Sequence, residues 1–267
     1  MSFQGEMLMD KKRIVEINNI GMIYHTLSGE TEALKNIDFN VLEGEIVGIV
    51  GPSGCGKSTL LSIVAGLITP SKGEVLVNGK KVVKPSKDIG YMFQRDHLFE
   101  WRTILQNVLL GLEIRGKVNE DSYQYAEKLL NSYGLGDFKN NYPRQLSGGM
   151  RQRAALIRTL IVEPNLLLLD EPFSALDYQT RLAIADEIGI ILKKEKKTAL
   201  LVTHDIAEAI SLSDRVIILT NRPATIKDII KIDLTCPDGV RTPIKCREAP
   251  EFRYYFNKIW KELDVHV

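Results

Sequence analysis

The chain has 267 residues, 44% of them apolar, which suffices for a large core in one α/β domain or two unequal lobes of one binding unit. Its 35 Lys and Arg nearly balance 34 Asp and Glu, and no long basic block interrupts them, so the electrostatic footprint of a nucleic-acid binder is missing. No apolar run approaches the ~20 residues of a membrane-spanning helix, and three cysteines are too few for a disulfide framework; the chain is expected in the cytosol, with any membrane role coming through a partner.

The first residues, 1–10, carry Glu6 and Asp10 and lack the continuous apolar stretch of a secretory signal. Strands are expected at 14–20, 37–41 and 46–50. The third runs into Gly51, Pro52, Ser53, Gly54, Cys55, Gly56, Lys57, Ser58 and Thr59, which fit the phosphate-loop pattern G-x-x-x-x-G-K-[ST] in the strand-to-helix context that the pattern requires. Its glycines let successive backbone N–H groups turn inward around phosphate oxygens, and a helix expected at 57–65 adds the positive end of its dipole. Cys55, beside Lys57 at that helix start, is expected to have a depressed thiol pKa, and a bulky group on it to block nucleotide binding.

A strand at 74–77 ends in Asn78 and Gly79, a tight-hairpin signal, and another strand follows at 89–93. From 95 to about 163 the pattern is mainly helical, with helices at 103–112 and 120–132, and reads as an insertion in an α/β core. At its end Ser147, Gly148 and Gly149 precede the helical pattern of 148–162, giving a second helix start with open N–H groups suited to an anion.

The strand at 166–170 has four consecutive leucines, as expected when both faces are covered. It delivers Asp170 and Glu171 at its C-terminal end, where open α/β sheets collect ligands. Asp170 suits the water shell of a Mg²⁺ ion that Ser58 ligates directly, and Glu171 suits a general base acting on the attacking water. A helix at 178–193, a strand at 198–203 ending before His204, a helix at 206–211 and a strand at 215–219 follow. In the tail, Pro250 is expected to open a helix whose Phe252, Tyr255, Phe256, Ile259, Trp260 and Leu263 share one face and cover apolar surface of the same chain. Cys236 and Cys246 could bridge or share a metal, but without neighbouring histidines they are expected to be unpaired thiols.

A phosphate loop alone leaves kinases, GTPases, helicases and transport ATPases open. Its combination with Leu-Ser-Gly-Gly-Met-Arg-Gln-Arg from Leu146 and Leu-Leu-Leu-Leu-Asp-Glu-Pro from Leu166 resembles the ATP-binding subunit of an ABC transporter, from 14 to about 232. The resemblance implies an α/β fold with a P-loop NTPase core, a mainly parallel sheet, an antiparallel β subdomain and the helical insertion, over residues 1–240, with 241–267 as a C-terminal docking segment. It implies Mg²⁺-dependent ATP hydrolysis, in which Tyr24 stacks on adenine, Lys57 neutralises phosphate charge, Gln94 senses Mg²⁺ and water, and His204 contacts the γ-phosphate. Ser174 to Asp177 would cross to a second subunit. The family forms head-to-tail dimers, so Ser147, Gly148 and Gly149 would meet ATP on the other protomer's phosphate loop.

Residues 98–108 and Thr220-Asn221-Arg222-Pro223 further resemble importers of nitrate, sulfonates and taurine, and their relatives for pyrimidine precursors of thiamine, although Glu100 replaces the usual proline before Trp101. For Trp101 and Arg102, packing of the insertion and a coupling role both stand open. The implied partners are a transmembrane permease and, indirectly, a solute-binding protein, at the cytoplasmic face of the membrane. An exporter subunit and a soluble ATPase remain alternatives.

Overall fold

The computed structural model describes residues 12–27, 29–174, 176–236 and 241–263. The readings made for 1–10 and for Ala175 lie outside the described residues. The chain opens with β1 (Arg13–Thr26) and β2 (Gly29–Leu42), an antiparallel pair much longer than 14–20 and 37–41 suggested. The extra length ends in a polar hairpin, where Tyr24 pairs with Thr31 and His25 with Glu30, and the register shifts before it, between Ile17 and Ile23, break the strand period. After β3 (Ile46–Val50) and α1 (Lys57–Val64), β4 (Lys72–Val77) turns into β5 (Lys80–Lys81). Asn78 and Gly79 both hold positive φ, 51° and 71°, the left-handed geometry a two-residue hairpin needs. These strands form a four-stranded sheet of order β2-β1-β4-β5.

β6 (Ile89–Met92) begins the second half of the larger sheet and leads into the helical insertion of α2 (Ile104–Ile114), α3 (Glu120–Ser132) and α4 (Gly148–Leu160). Then follow β7 (Leu166–Asp170), α5 (Tyr178–Lys194), β8 (Thr198–Val202), α6 (Ile206–Leu212) and β9 (Arg215–Leu219). The six-stranded sheet has the order β10-β9-β3-β8-β7-β6, parallel throughout except for β10 (Ile226–Lys231), which runs antiparallel on the edge. Sequence reading missed β10, because Ile-Lys-Asp-Ile-Ile-Lys mixes charge into a half-exposed edge strand. It also missed α7 (Pro243–Cys246), a single turn capped by Thr242 and too short to show a period.

The absence of polar alternation in the central strands has a direct structural cause. Leu167 and Leu169 of β7 and Ala199 and Leu201 of β8 face the helical insertion, whereas Leu166, Leu168, Leu200 and Val202 face the core around α1 and the antiparallel sheet. Each strand is therefore apolar on both sides. A third core joins Val50, Ile206, Ile210, Ile218 and Ile230 to α8 (Phe252–Glu262), whose Ile259 is fully buried. Helix α8 starts at Phe252 rather than at Pro250, and Trp260, expected on its packed face, is 41% exposed. None of the described helices is long and apolar enough to cross a membrane.

Cys236 and Cys246 are free but not remote from one another: their sulfurs lie 3.1 Å apart in a buried pocket beside the carbonyl of Ser211. Burial and the neighbouring sulfur push the Cys246 thiol up to about 12. The two thiols meet, unbonded, where the segment after β10 comes back against α7.

Candidate functional site

The phosphate loop joins the C-terminal end of β3 to α1, and its geometry depends on glycine at two positions. Gly54 sits at φ 73° and Gly56 at φ 127°, and a Cβ on Gly56 would meet Leu34 at 2.8 Å. Helix α1 starts at Gly56 with no side-chain cap and no acidic residue in its first turn, so its leading N–H groups and positive dipole end are left for an anion. A cavity of about 220 Å³ opens here, lined by Ser53, Gly54 and the loop residues from Gly56 to Thr59 together with Glu171 and Arg222. Lys57 is only 6% exposed, and its Nζ donates to the carbonyls of Gly51, at 2.8 Å, and Pro52, at 3.0 Å.

Two carboxylates reach this loop from the end of β7. Asp170 accepts hydrogen bonds from Ser58 Oγ and Tyr91 Oη, both at 3.1 Å. Burial raises the Asp170 pKa, while these two donors act against the rise; the same burial, helped by the Asp170 charge, raises that of Tyr91. Ser58 and Asp170 present only oxygen donors, the set a hard divalent cation prefers. Glu171 holds the left-handed region at φ 45°, a conformation costly for a non-glycine residue and characteristic of functional turns. Its N–H donates to the Val202 carbonyl.

The Glu171 carboxylate gathers two further predicted residues. Gln94 Nε2 donates to it at 3.2 Å and to Ser174 Oγ at 3.1 Å, and His204 Nδ1 lies 3.2 Å from the same Oε2 atom. Tyr24 shares a hydrogen bond with Thr59 across 3.2 Å at the edge of the loop. Ser147, Gly148 and Gly149 do not join this group within the described chain. There the Ser147 hydroxyl accepts from the Met150 N–H and caps α4.

Cys55 corrects the sequence expectation. It is buried, and desolvation pushes its thiol up despite the opposing charge of Lys57. Proximity to a lysine and a helix start is overridden because the sulfur points into the core under the loop, against the position a Gly51 Cβ would take.

The route from this site to the helical insertion is built from α4. Gln152 Nε2 donates to the Gln94 carbonyl, Arg151 Nε pairs with Asp96 at 3.0 Å, and Arg158 donates to the carbonyls of Asp96 and His97. Beyond this loop, the fully buried Asn107 accepts from the Phe99 N–H and donates to the carbonyls of Phe99, Arg102 and Thr103. It thereby holds up a turn carrying Trp101, which is 73% exposed and stacked on Phe99 at 4.8 Å. Trp101 is thus not insertion packing. A cleft of about 470 Å³ opens beside it, walled by the Arg102–Glu113 ion pair, Leu109 and Tyr123.

Sequence reasoning missed three contributors. Tyr91 orients Asp170, and its signal was a phenol in a buried strand, a group that needs a partner. Ser174, noted only as the start of the segment crossing to a second subunit, orients Gln94. Arg222, noted only within a resembling tetrapeptide, lines the phosphate cavity and donates to the Gly54 carbonyl at 2.5 Å.

The comparisons with known proteins agree with this geometry. A family model described as ABC transporter matches residues 34–174. The uncharacterized ABC transporter ATP-binding protein YtlC of Bacillus subtilis is 47% identical over 94% of this chain and 95% of its own length. The nitrate import ATP-binding protein NrtD of Synechocystis is 41% identical over 92% of this chain and 93% of its own. Among solved structures, the dimeric post-hydrolysis state of the ATP-binding cassette MJ0796 bound to ADP and Pi superposes with a TM-score of 0.69 at 35% identity, covering 79% of this chain and 98% of that one.

Proposed function

The chain belongs to the ABC transporter family as an ATP-binding subunit, and from that premise we propose that it hydrolyses ATP to drive uptake of a small solute of the nitrate or sulfonate kind. The observation that carries the hydrolytic part is the convergence of Gln94 and His204 on the Glu171 carboxylate beside the phosphate cavity.

In this reading the open N–H groups of the loop and α1 hold the phosphates, and Lys57 turns from the Gly51 and Pro52 carbonyls to their oxygens. Ser58 and Asp170 would hold Mg²⁺, which supplies charge neutralisation at the β- and γ-phosphates. Glu171 accepts a proton from the attacking water, Gln94 orients that water, and His204 donates toward the γ-phosphate as charge builds on it. Tyr24 stacks on the base. Ser147, Gly148 and Gly149 complete the site of a second copy in a head-to-tail dimer, a reading supported by their separation from the phosphate loop of their own chain. ATP then closes the dimer, and loss of the γ-phosphate reopens it.

The permease is assigned to the cleft beside Trp101. Its exposed stacked indole, pinned by Asn107, has the character of an interface anchor, and α4 ties the same insertion back to Gln94. The chain would sit on the cytoplasmic face of the membrane, with the segment 241–263 docked on its own domain. A solute-binding protein would act on it only through the permease, and nucleic acid has no part. Import of an anionic solute is supported by the likeness to NrtD and to the aliphatic sulfonates import protein SsuB; a pyrimidine-like solute rests on the resemblance of residues 98–108 and 220–223 alone.

The test is co-purification of tagged protein with the membrane proteins encoded beside it, followed by ATPase assays with each candidate solute-binding protein. Hydrolysis that rises with one loaded binding protein is expected. A chain that binds no membrane protein, with ATPase indifferent to every binding protein, overturns the importer reading.

A further inference from the structure

Glu208 lies in α6, is 6% exposed and has no place in the mechanism above. Its Oε2 accepts the hydroxyl proton of Thr203 at 2.7 Å, and Thr203, 1% exposed, accepts in turn from the Asp205 N–H at 3.0 Å. His204 is therefore the one residue spanned by this bond. Asp205 closes the turn from the other side, its Oδ1 accepting from the N–H groups of Ala207 at 2.8 Å and Glu208 at 3.2 Å. The ring of His204 projects from that clamped turn to within 3.2 Å of Glu171.

A buried carboxylate is a costly choice for a structural acceptor where a glutamine would also serve. The charged groups facing it are Asp205 and His204 from the turn and Arg181 from α5. Strand β3, packed against α6, has no charged residue, and Arg215 of β9 is taken up by Glu45. Arg241, just before α7, lies on the Ile210 and Ser213 carbonyls at the far end of α6, while Lys258 and Glu262 of α8 pair with Asp228 and Lys227.

We infer that Glu208 is a positioning residue: through the Thr203 hydroxyl its carboxyl group fixes the turn that presents His204 to Glu171. The inference deepens the hydrolytic reading and rests on it for its effect on turnover, but not for its effect on the histidine ring. Burial pushes the Glu208 pKa up to about 7, so its charge, and with it the grip on Thr203, changes near neutral pH.

The test follows the His204 ring nitrogens by NMR in the full chain labelled with ¹⁵N-histidine, the signal assigned by its loss in His204→Ala. ATP affinity and turnover are measured on the same samples. Glu208→Ala and Thr203→Val are expected to shift or broaden the His204 signal while His25 and His97 stay in place. They should lower kcat about tenfold or more with ATP affinity within about threefold, and Thr203→Ser should restore both. Should the two disruptive variants fail to fold, Glu208→Leu, which fills the same space without an acceptor, decides by the same His204 signal, with the isosteric Glu208→Gln, which keeps an acceptor for Thr203, as the control that stays in place. An unmoved His204 signal in every folded variant overturns the inference. Full turnover in His204→Ala overturns the catalytic role of the histidine instead, and leaves the ring shifts to judge the clamp by themselves.

Discussion

His204 Nδ1 and the Glu171 Oε2 atom stand 3.2 Å apart at the C-terminal ends of two adjacent parallel strands, β8 and β7. Gln94 reaches the same oxygen from the end of β6, so two strands aim one side chain each at the carboxylate that follows the strand between them, β7. Exchanging that carboxylate for an amide keeps the shape and removes the base. Glu171→Gln should bind ATP with near-unchanged affinity, lose turnover by about a hundredfold or more, and accumulate as an ATP-bound dimer. Steady-state ATPase with size-exclusion chromatography checks this, and full turnover would remove Glu171 from the role of base.

Lys57 acts earlier, in binding. Its buried ammonium already has two carbonyl partners, and phosphate oxygens would replace them with charge-assisted bonds worth about 1.5–3 kcal/mol. Lys57→Ala should therefore weaken nucleotide affinity by roughly tenfold to a hundredfold, read by titration with a fluorescent ATP analogue. Unchanged affinity would count against the phosphate loop as the nucleotide site.

The elements legible in the sequence are those whose signal is local. The loop from Gly51 to Thr59, the doubly covered leucines of β7 and the Asn78-Gly79 turn each carry their physical cause within a few residues. What stayed hidden depends on partners distant along the chain. The Tyr91–Asp170 bond spans a β6–β7 pair separated by the whole insertion, and Arg222 reaches Gly54 from the segment after β9, a strand adjacent to β3 in the sheet but remote from it along the chain. Cys55 shows the same limit: its neighbours in sequence predict a lowered pKa, and its burial reverses the sign.

That reversal has a chemical consequence. Cys55, Cys236 and Cys246 are all buried, and the pKa values of Cys55 and Cys246 are pushed upward, so thiolate is scarce and shielded at neutral pH. The native protein should take up almost no iodoacetamide at pH 7.5, and all three sites should react once it is unfolded in urea. Mass spectrometry of the intact chain counts the adducts, and rapid native labelling of Cys55 would contradict its placement under the loop.

Asn107 holds the turn that displays Trp101 by four hydrogen bonds from a fully buried side chain. Asn107→Ala leaves several backbone groups of that turn without partners, at a cost of about 2–3 kcal/mol. The midpoint of urea unfolding should fall accordingly. Trp101→Ala, which removes an exposed ring, should leave the midpoint nearly unchanged and weaken co-purification with the permease. A Trp101→Ala protein that holds its permease normally would move the docking surface elsewhere.

Glu208 sets a stability that depends on pH, with the opposite sign to a salt-bridged carboxylate. Its pKa rises from 4.5 to about 7 on folding, so between those values the folded chain holds a proton that the unfolded chain has released. Stability contributed by this group is then complete below about pH 4.5 and is lost as the pH rises through about 7. The cost at pH 8 is at most about 3 kcal/mol, at 1.36 kcal/mol per pKa unit. Glu208→Gln cannot ionise and keeps an acceptor for Thr203, so it should be more stable than the unmutated chain at pH 8, with the advantage fading toward pH 5. Urea unfolding at the two pH values measures the difference, and an advantage independent of pH would rule out ionisation of Glu208 as its source. A Glu208→Gln protein that gains stability at pH 8 but turns over ATP more slowly would show the carboxylate retained for function at the expense of folding.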